Sequence, residues 1–284
     1  MIRTVGVVGA GQMGSGIAEV CAAGADVVLV DLDRAAVDAG LQRIRRSLDG
    51  AVRRGRVTEE EAAARLGRIA PATDVTALAG ANLVIEAVVE SLQVKQDLFG
   101  RLGDIVAPTA VLASNTSSLP IAAIGRGSTH PERVLGLHFF NPPPALDLVE
   151  LTPTLVTDPA LADAVQGFFT DGLGRTVIRS QDRAGFIVNA LLVPYLLSAV
   201  RMLENGIATR EDIDTGMQRG CGHPMGPLRL LDLIGLDTMV FVADGLYAEW
   251  RDPAASAPAM LRRMVDAGLL GRKSGRGFYD YTEH

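Results

Sequence analysis

Cysteine is scarce in this chain of 284 residues, with only Cys21 and Cys221, far apart in sequence. Two such residues exclude a disulfide framework and a thiolate metal or redox motif, and both are expected as buried free thiols. No other metal-ligand spacing takes their place. A basic excess is lacking too, since 27 lysines and arginines face 33 acids for a net charge of -6. The resulting pI of about 5.3 provides no positive field for nucleic acid, so an anionic small molecule would need a local basic patch. Long hydrophobic runs are also missing. The most apolar later stretch, Gly185 to Met202, is interrupted by Asn189, Pro194, Tyr195 and Arg201, which suits a core helix and not a membrane span. There is no low-complexity tail and no fixed-period repeat. Met1-Ile2-Arg3-Thr4 passes straight into strand-like sequence with no room for a signal peptide, so the expected location is cytoplasmic.

What is present first is a short apolar run leading into glycines. Val5-Gly6-Val7-Val8 reads as a buried strand, and Gly9-Ala10-Gly11-Gln12-Met13-Gly14 follows it with Gly-x-Gly-x-x-Gly spacing. The spacing has a physical reason: Gly9 permits a tight turn, Gly11 lets backbone amides approach a pyrophosphate, and Gly14 lets the next helix pack on the strand. A helix from Gln12 to about Ala23 would aim its N-terminus at the phosphates. A second run, Asp26-Val27-Val28-Leu29-Val30, ends at Asp31, about where a ribose ligand is expected. The Asp31 carboxylate would accept ribose hydroxyl hydrogens and repel a 2'-phosphate, which favours NAD over NADP. The nearby guanidinium of Arg34 could accept that phosphate.

Hydrophobic residues make up 48% and charged residues 21%, a globular balance with enough chain for two domains. Strand-like runs alternate with helical patterns through the first half, which predicts an α/β, Rossmann-like doubly wound sheet. Leu83 to Val88 and Ala110 to Ser114 read as central strands, because short apolar runs suit strands covered on both faces. Arg34 to Leu66 reads as a helical hairpin broken near Gly55. From Arg133 the pattern changes to closely spaced strands, Arg133 to His138, Asp147 to Thr152 and Arg175 to Ile178, with a helix from Pro159 to Asp171. Beyond Ser180-Gln181-Asp182-Arg183 apolar residues recur at helical spacing. The expected domains are therefore 1–183, dinucleotide-binding, and 184–284, mostly α-helical.

His138 ends one of these strands, where ligands meet open α/β sheets, and its ordinary pKa suits proton exchange near neutrality. Taken alone, a histidine here reads more readily as a satisfied structural imidazole. Glu150 lies in Leu148-Val149-Glu150-Leu151, and a carboxylate buried there needs a partner. If the two strands are neighbours, Glu150 can hold one imidazole nitrogen and stabilise the charge that His138 gains with a proton. Ser117 and Ser118 follow Ser114-Asn115-Thr116 at another strand end, placed either to hold a substrate oxygen or to cap the next helix. Asn189 is an amide inside an apolar helix, with a substrate or neighbouring backbone as its partner. Arg43, Arg45, Arg46, Arg53, Arg54 and Arg56 cluster on the early helical segment, either as phosphate ligands or as a solvated face balanced by Asp49, Glu59, Glu60 and Glu61.

Seven stretches in order carry a resemblance nearly from end to end: Gly-Ala-Gly-Gln-Met-Gly from Gly9, Ile-Glu-Ala-Val-Val-Glu from Ile85, Ala-Ser-Asn-Thr-Ser-Ser-Leu from Ala113, His-Phe-Phe-Asn-Pro from His138, Gly-Phe-Ile-Val-Asn from Gly185, His-Pro-Met-Gly-Pro from His223 and Gly-Phe-Tyr from Gly277. With them the chain resembles the L-3-hydroxyacyl-CoA dehydrogenase family. The resemblance implies NAD-linked oxidation of a 3-hydroxyacyl-CoA, with short chains such as 3-hydroxybutyryl-CoA favoured, in fatty-acid and butanoate metabolism. It makes His138 the general base and Glu150 its orienting acid, with Ser117 and Asn189 on the substrate oxygen. To the NAD site it assigns Gly9, Gly11, Gln12, Met13, Gly14, Asp31, Ala87, Glu90, Lys95, Ser117, Asn141 and Lys273. Ser47 and Arg54 match positions that touch CoA, with arginine where lysine is frequent. A homodimer is implied, with neither metal, nucleic acid nor membrane as a partner. Ser91, Ala190 and Asn82 depart from the usual asparagine, arginine and aspartate, and Ala190 bears most on substrate range.

Overall fold

In the computed structural model, which describes residues 2–282, the first apolar run forms β1 (Thr4–Val8) and the helix after its glycines is α1 (Gln12–Cys21). Met1, Glu283 and His284 lie outside the described residues. The chain continues through β2 (Asp26–Val30), α2 (Arg34–Arg53), α3 (Glu59–Gly67), β3 (Ile69–Ala72), β4 (Leu83–Glu86), α4 (Leu92–Ile105), β5 (Val111–Ser114), α5 (Ile121–Gly125), β6 (Val134–Phe139), β7 (Leu148–Pro153), α6 (Pro159–Gly167) and β8 (Thr176–Arg179). All eight strands join one sheet in the order β3-β2-β1-β4-β5-β6-β7-β8. β1 to β6 run parallel, β7 is antiparallel to β6, and β8 is parallel to β7. The order reverses between β1 and β4, and ligands of open α/β sheets bind outside the carboxyl ends at such a switch.

Local sequence accounts for most of these elements. The residues of β4 and β5 are buried throughout, as strands covered on both faces require. The hairpin of α2 and α3 turns at Gly55 in the left-handed region, and a reciprocal capping box between Thr58 and Glu61 starts α3, satisfying two backbone donors. The later strands are each displaced by a single residue from their expected bounds, and α6 ends at Gly167 in a wider π-helical turn over Phe168–Gly172. β3 was not expected: it is a short edge strand containing Pro71, and a proline is tolerated on an edge where no ladder donor is needed.

The boundary between two compact units falls between Arg183 and Ala184. The second unit is helical, with α7 (Val188–Glu204), α8 (Arg210–Cys221), α9 (Pro227–Ile234), α10 (Leu236–Trp250) and α11 (Ala259–Asp266). Leu196, Leu197, Leu228, Leu231, Ala243 and Leu246 are fully buried in its core. Asp232, itself buried, accepts the Phe278 and Tyr279 amides and the Tyr281 hydroxyl, which pins the tail to α9.

One cysteine departs from expectation. Cys21 is buried in α1, and burial pushes its thiol up to about 12, whereas Cys221 ends α8 in an exposed position. Only the thiolate attacks a disulfide reagent. Native protein is therefore expected to titrate one thiol per chain quickly, and unfolded protein two. Two fast thiols in the native state would contradict the burial of Cys21.

Candidate active site

Every loop that leaves the carboxyl ends of β1, β2, β4, β5 and β6 carries a predicted site residue, and the glycine turn is the most constrained. Gly9 has φ +100, and a Cβ there would stand 2.5 Å from the Ala87 carbonyl oxygen; at Gly14 it would stand 1.7 Å from the Gly9 carbonyl oxygen. At Gly11 a Cβ would meet nothing within 4 Å. Gly9 and Gly14 are thus fixed by the fold, while Gly11 opens on space. Asp31 sits beside the turn, accepting the Ala10 amide at 2.6 Å and the Leu32 amide at 2.7 Å. Gln12 is exposed at the start of α1 and donates from Nε2 to Asn141 Oδ1 at 3.0 Å; Met13 packs against the core. This cradle fits a dinucleotide: helix-end amides for phosphate, open room over Gly11, and a carboxylate one strand away.

The register of β6 on β7 sets His138 directly across from Glu150. Glu150 is fully buried and His138 nearly so, and Glu150 Oε2 lies 2.6 Å from His138 Nδ1. The ring also meets the edge of Phe140 at 4.6 Å between centroids. A carboxylate at this distance keeps the proton on Nδ1 and orients the imidazole.

Ser117 and Ser118 do not cap α5. That helix starts after Pro120, and its first amides, of Ile121 and Ala122, donate to Asp182 at 2.7 Å each. The turn instead closes on Glu90, whose Oε1 accepts the Thr116 hydroxyl in a short bond, the Ser117 amide at 3.3 Å and the Ser118 hydroxyl at 3.3 Å. Asn115 Oδ1 accepts the Phe139 amide at 2.9 Å, tying this turn to the end of β6. Lys95 is only 1% exposed and its ammonium lies 3.1 Å from Glu90 and 2.6 Å from Glu86. Glu86 was not anticipated. A lone acid in the apolar run Val84-Ile85-Glu86-Ala87 is the signal that could have marked it, since a buried carboxylate must be paired.

Ser47 and Arg54, both expected to touch CoA, line one cleft of about 320 Å³ with Glu19, Arg56, Arg65 and Arg175. Glu19 is a second residue not anticipated. It is buried, accepts the Ser47 hydroxyl at 3.1 Å, and burial raises its carboxyl above the usual range against the pull of Ser47, Arg65 and Arg175. One other arginine of the cluster has local work: Arg43 donates to the Ala10 carbonyl at 3.1 Å. The remaining predicted residues belong to the helical unit: Asn189 lies half-buried on the first turn of α7, and the Lys273 ammonium pairs with Asp237 at 2.5 Å. Among the described residues no group of three or more His, Cys, Asp or Glu is placed to hold a metal ion, and no helix is long and apolar enough to cross a membrane.

A dinucleotide cradle and a histidine–carboxylate pair on one sheet edge define a dehydrogenase-type site. Residues 4–183 match the model of the 3-hydroxyacyl-CoA dehydrogenase NAD binding domain, and residues 185–281 match that of the 3-hydroxyacyl-CoA dehydrogenase C-terminal domain. The chain belongs to the 3-hydroxyacyl-CoA dehydrogenase family. It is 55% identical to a 3-hydroxybutyryl-CoA dehydrogenase of Mycobacterium tuberculosis over 282 residues, covering 99% of each chain. It is 40% identical to the human mitochondrial hydroxyacyl-coenzyme A dehydrogenase, covering 99% of this chain and 92% of that one. The crystal structure of (S)-3-hydroxybutyryl-CoA dehydrogenase from Ralstonia eutropha superposes with a TM-score of 0.94 at 42% identity, covering 100% of both chains. The chain is accordingly an oxidoreductase built on an NAD-binding domain, with the expected fold class.

Proposed function

We propose that this chain interconverts a short-chain L-3-hydroxyacyl-CoA, 3-hydroxybutyryl-CoA in particular, and its 3-oxoacyl-CoA, using NAD in preference to NADP. The pairing of His138 with Glu150 across β6 and β7 carries the reading, because it supplies an oriented base at the sheet edge beside the dinucleotide cradle. NAD bound on Gly9, Gly11, Gln12, Met13, Gly14, Asp31, Ala87 and Glu90 supplies the hydride acceptor. His138 takes the 3-hydroxyl proton on Nε2 as the hydride leaves C3, and Glu150 steadies the imidazolium. Ser117 holds the oxygen as it becomes a carbonyl, and the family resemblance gives Asn189 a part in the same contact. Asn141 and Lys95 complete the cofactor side, with Lys273 added to it by the family resemblance, and Ser47 and Arg54 take the CoA portion.

Two observations support NAD over NADP. Asp31 stands at the end of β2 with its carboxylate on the glycine turn, and Arg34, the one cation near it in sequence, pairs with Asp38 at 2.8 Å. The exposed apolar side chains Leu191, Leu233 and Phe241 support a homodimer through the helical unit, and the free thiols support a reducing, cytoplasmic setting in fatty-acid metabolism.

The test is NADH absorbance in the presence of acetoacetyl-CoA, with NADPH and free acetoacetate as matched controls. Rapid loss with NADH and the CoA ester alone is expected. For Arg54→Ala, loss of a guanidinium–phosphate contact predicts a KM for the CoA ester raised roughly tenfold, with the KM for NADH within about twofold. No turnover in any mixture by folded, NADH-binding protein would remove the reading.

A further inference from the structure

The buried acid at the end of β4 has no part in the chemistry above, yet both of its carboxylate oxygens are engaged, by three donors in all. Glu86 is 0% exposed. Its Oε1 accepts the Val88 amide at 2.7 Å and the Lys95 ammonium at 2.6 Å, and its Oε2 accepts the Ser114 hydroxyl at 2.7 Å. Lys95 carries the linkage to Glu90 at 3.1 Å, and Glu90 gathers Thr116, Ser117 and Ser118. Ser114 in turn accepts the Thr116 amide at 3.3 Å, so Glu86 reaches the same turn from both sides. Stability does not account for such a cluster. Taking Lys95 and Glu86 fully out of water, with Glu90 partly so, is costly, and well-packed apolar replacements of such buried ions are often neutral or stabilising. What the cluster provides is geometry, because each bond fixes the next and the last one sets the backbone of Ser117.

We propose that Glu86 is a positioning residue for the reaction: through Lys95 and Glu90, and through Ser114, it fixes the Ser117 turn at the carboxyl edge. The inference rests on the function proposed above. It also gives Lys95 a role through Glu90, since the buried ammonium is engaged by two carboxylates.

The experiment compares wild type, Glu86→Gln, Thr116→Val and the double variant for kcat, the KM of acetoacetyl-CoA and melting temperature. Each single substitution is expected to lower kcat about tenfold or more, because displacement of a reacting group by about 1 Å can cost on the order of 10²-fold. The KM for the CoA ester stays within about twofold, since Ser47 and Arg54 lie on and just after α2. The double variant is expected to fall short of the product of the two single effects, because both loosen the same Ser117 turn. An active wild type with a folded Glu86→Gln at undiminished kcat overturns the inference alone, as do effects of the two substitutions that simply multiply. An inactive wild type overturns the proposed function and this inference with it. Should Glu86→Gln not fold, Ser114→Ala removes one donor to Glu86 and no charge; several-fold lower kcat supports the proposal, and unchanged kcat overturns it.

Discussion

His138→Gln is expected to lower kcat by about 10²–10⁴, the usual worth of a positioned general base, while leaving NADH affinity near that of the wild type. The glutamine amide is an uncharged donor of similar reach, so the buried Glu150 can keep a hydrogen-bond partner and the β6–β7 pairing has no reason to fail. What the variant loses, on the proposed chemistry, is the nitrogen that accepts the hydroxyl proton. Steady-state kinetics with acetoacetyl-CoA, NADH binding by fluorescence and a melting curve separate the two effects. A folded, NADH-binding His138→Gln protein with near-normal turnover would remove His138 from the chemistry and return it to a structural imidazole. Glu150 cannot be tested as cleanly, because any change at a fully buried position also disturbs its packing.

The parts of this molecule that sequence reveals are those set by short-range rules. Strands β1, β4 and β5 are short apolar runs buried on both faces, and the glycine turn is readable because steric demands at Gly9 and Gly14 admit few other residues. β3 was not readable, since Ile69-Ala70-Pro71-Ala72 lacks the apolar continuity of a central strand and owes its place to pairing with β2. The partnership of His138 and Glu150 was visible only as a condition on strand adjacency. No local pattern across Asn141 to Asp147 sets an antiparallel register that puts two particular residues opposite each other. Glu86 and Lys95 show the harder case. A lysine on a helix ordinarily implies solvent, and only the three-dimensional closure of α4 on β4 turns Lys95 into the buried partner of two acids. Ser117 was legible as a residue at a strand end, but its binding to Glu90 in place of a capping role depended on Asp182 taking the amides of α5.

The glycine turn offers a prediction in which two neighbouring substitutions of identical chemistry should fail in different ways. At Gly14 an added methyl group would lie 1.7 Å from the Gly9 carbonyl oxygen, and neither backbone can yield without moving α1 off β1. Overpacking of this kind costs about 1–3 kcal/mol, occasionally more, and each kcal/mol lowers the melting temperature by about 2–4 °C at this scale. Gly14→Ala is therefore expected to melt measurably earlier and, with its turn displaced, to bind NADH poorly. At Gly11 the same methyl group meets no protein atom within 4 Å, so Gly11→Ala should keep the wild-type melting temperature. If the pyrophosphate lies over this turn, the methyl group occupies its approach and weakens charge-assisted hydrogen bonds worth about 1.5–3 kcal/mol each, raising the Kd for NADH roughly tenfold to a hundredfold. Melting curves and NADH titrations of the two variants decide the matter. Unchanged NADH affinity in Gly11→Ala would place the dinucleotide elsewhere on the sheet edge, and an unchanged melting temperature in Gly14→Ala would mean that the α1–β1 contact yields more readily than its geometry allows.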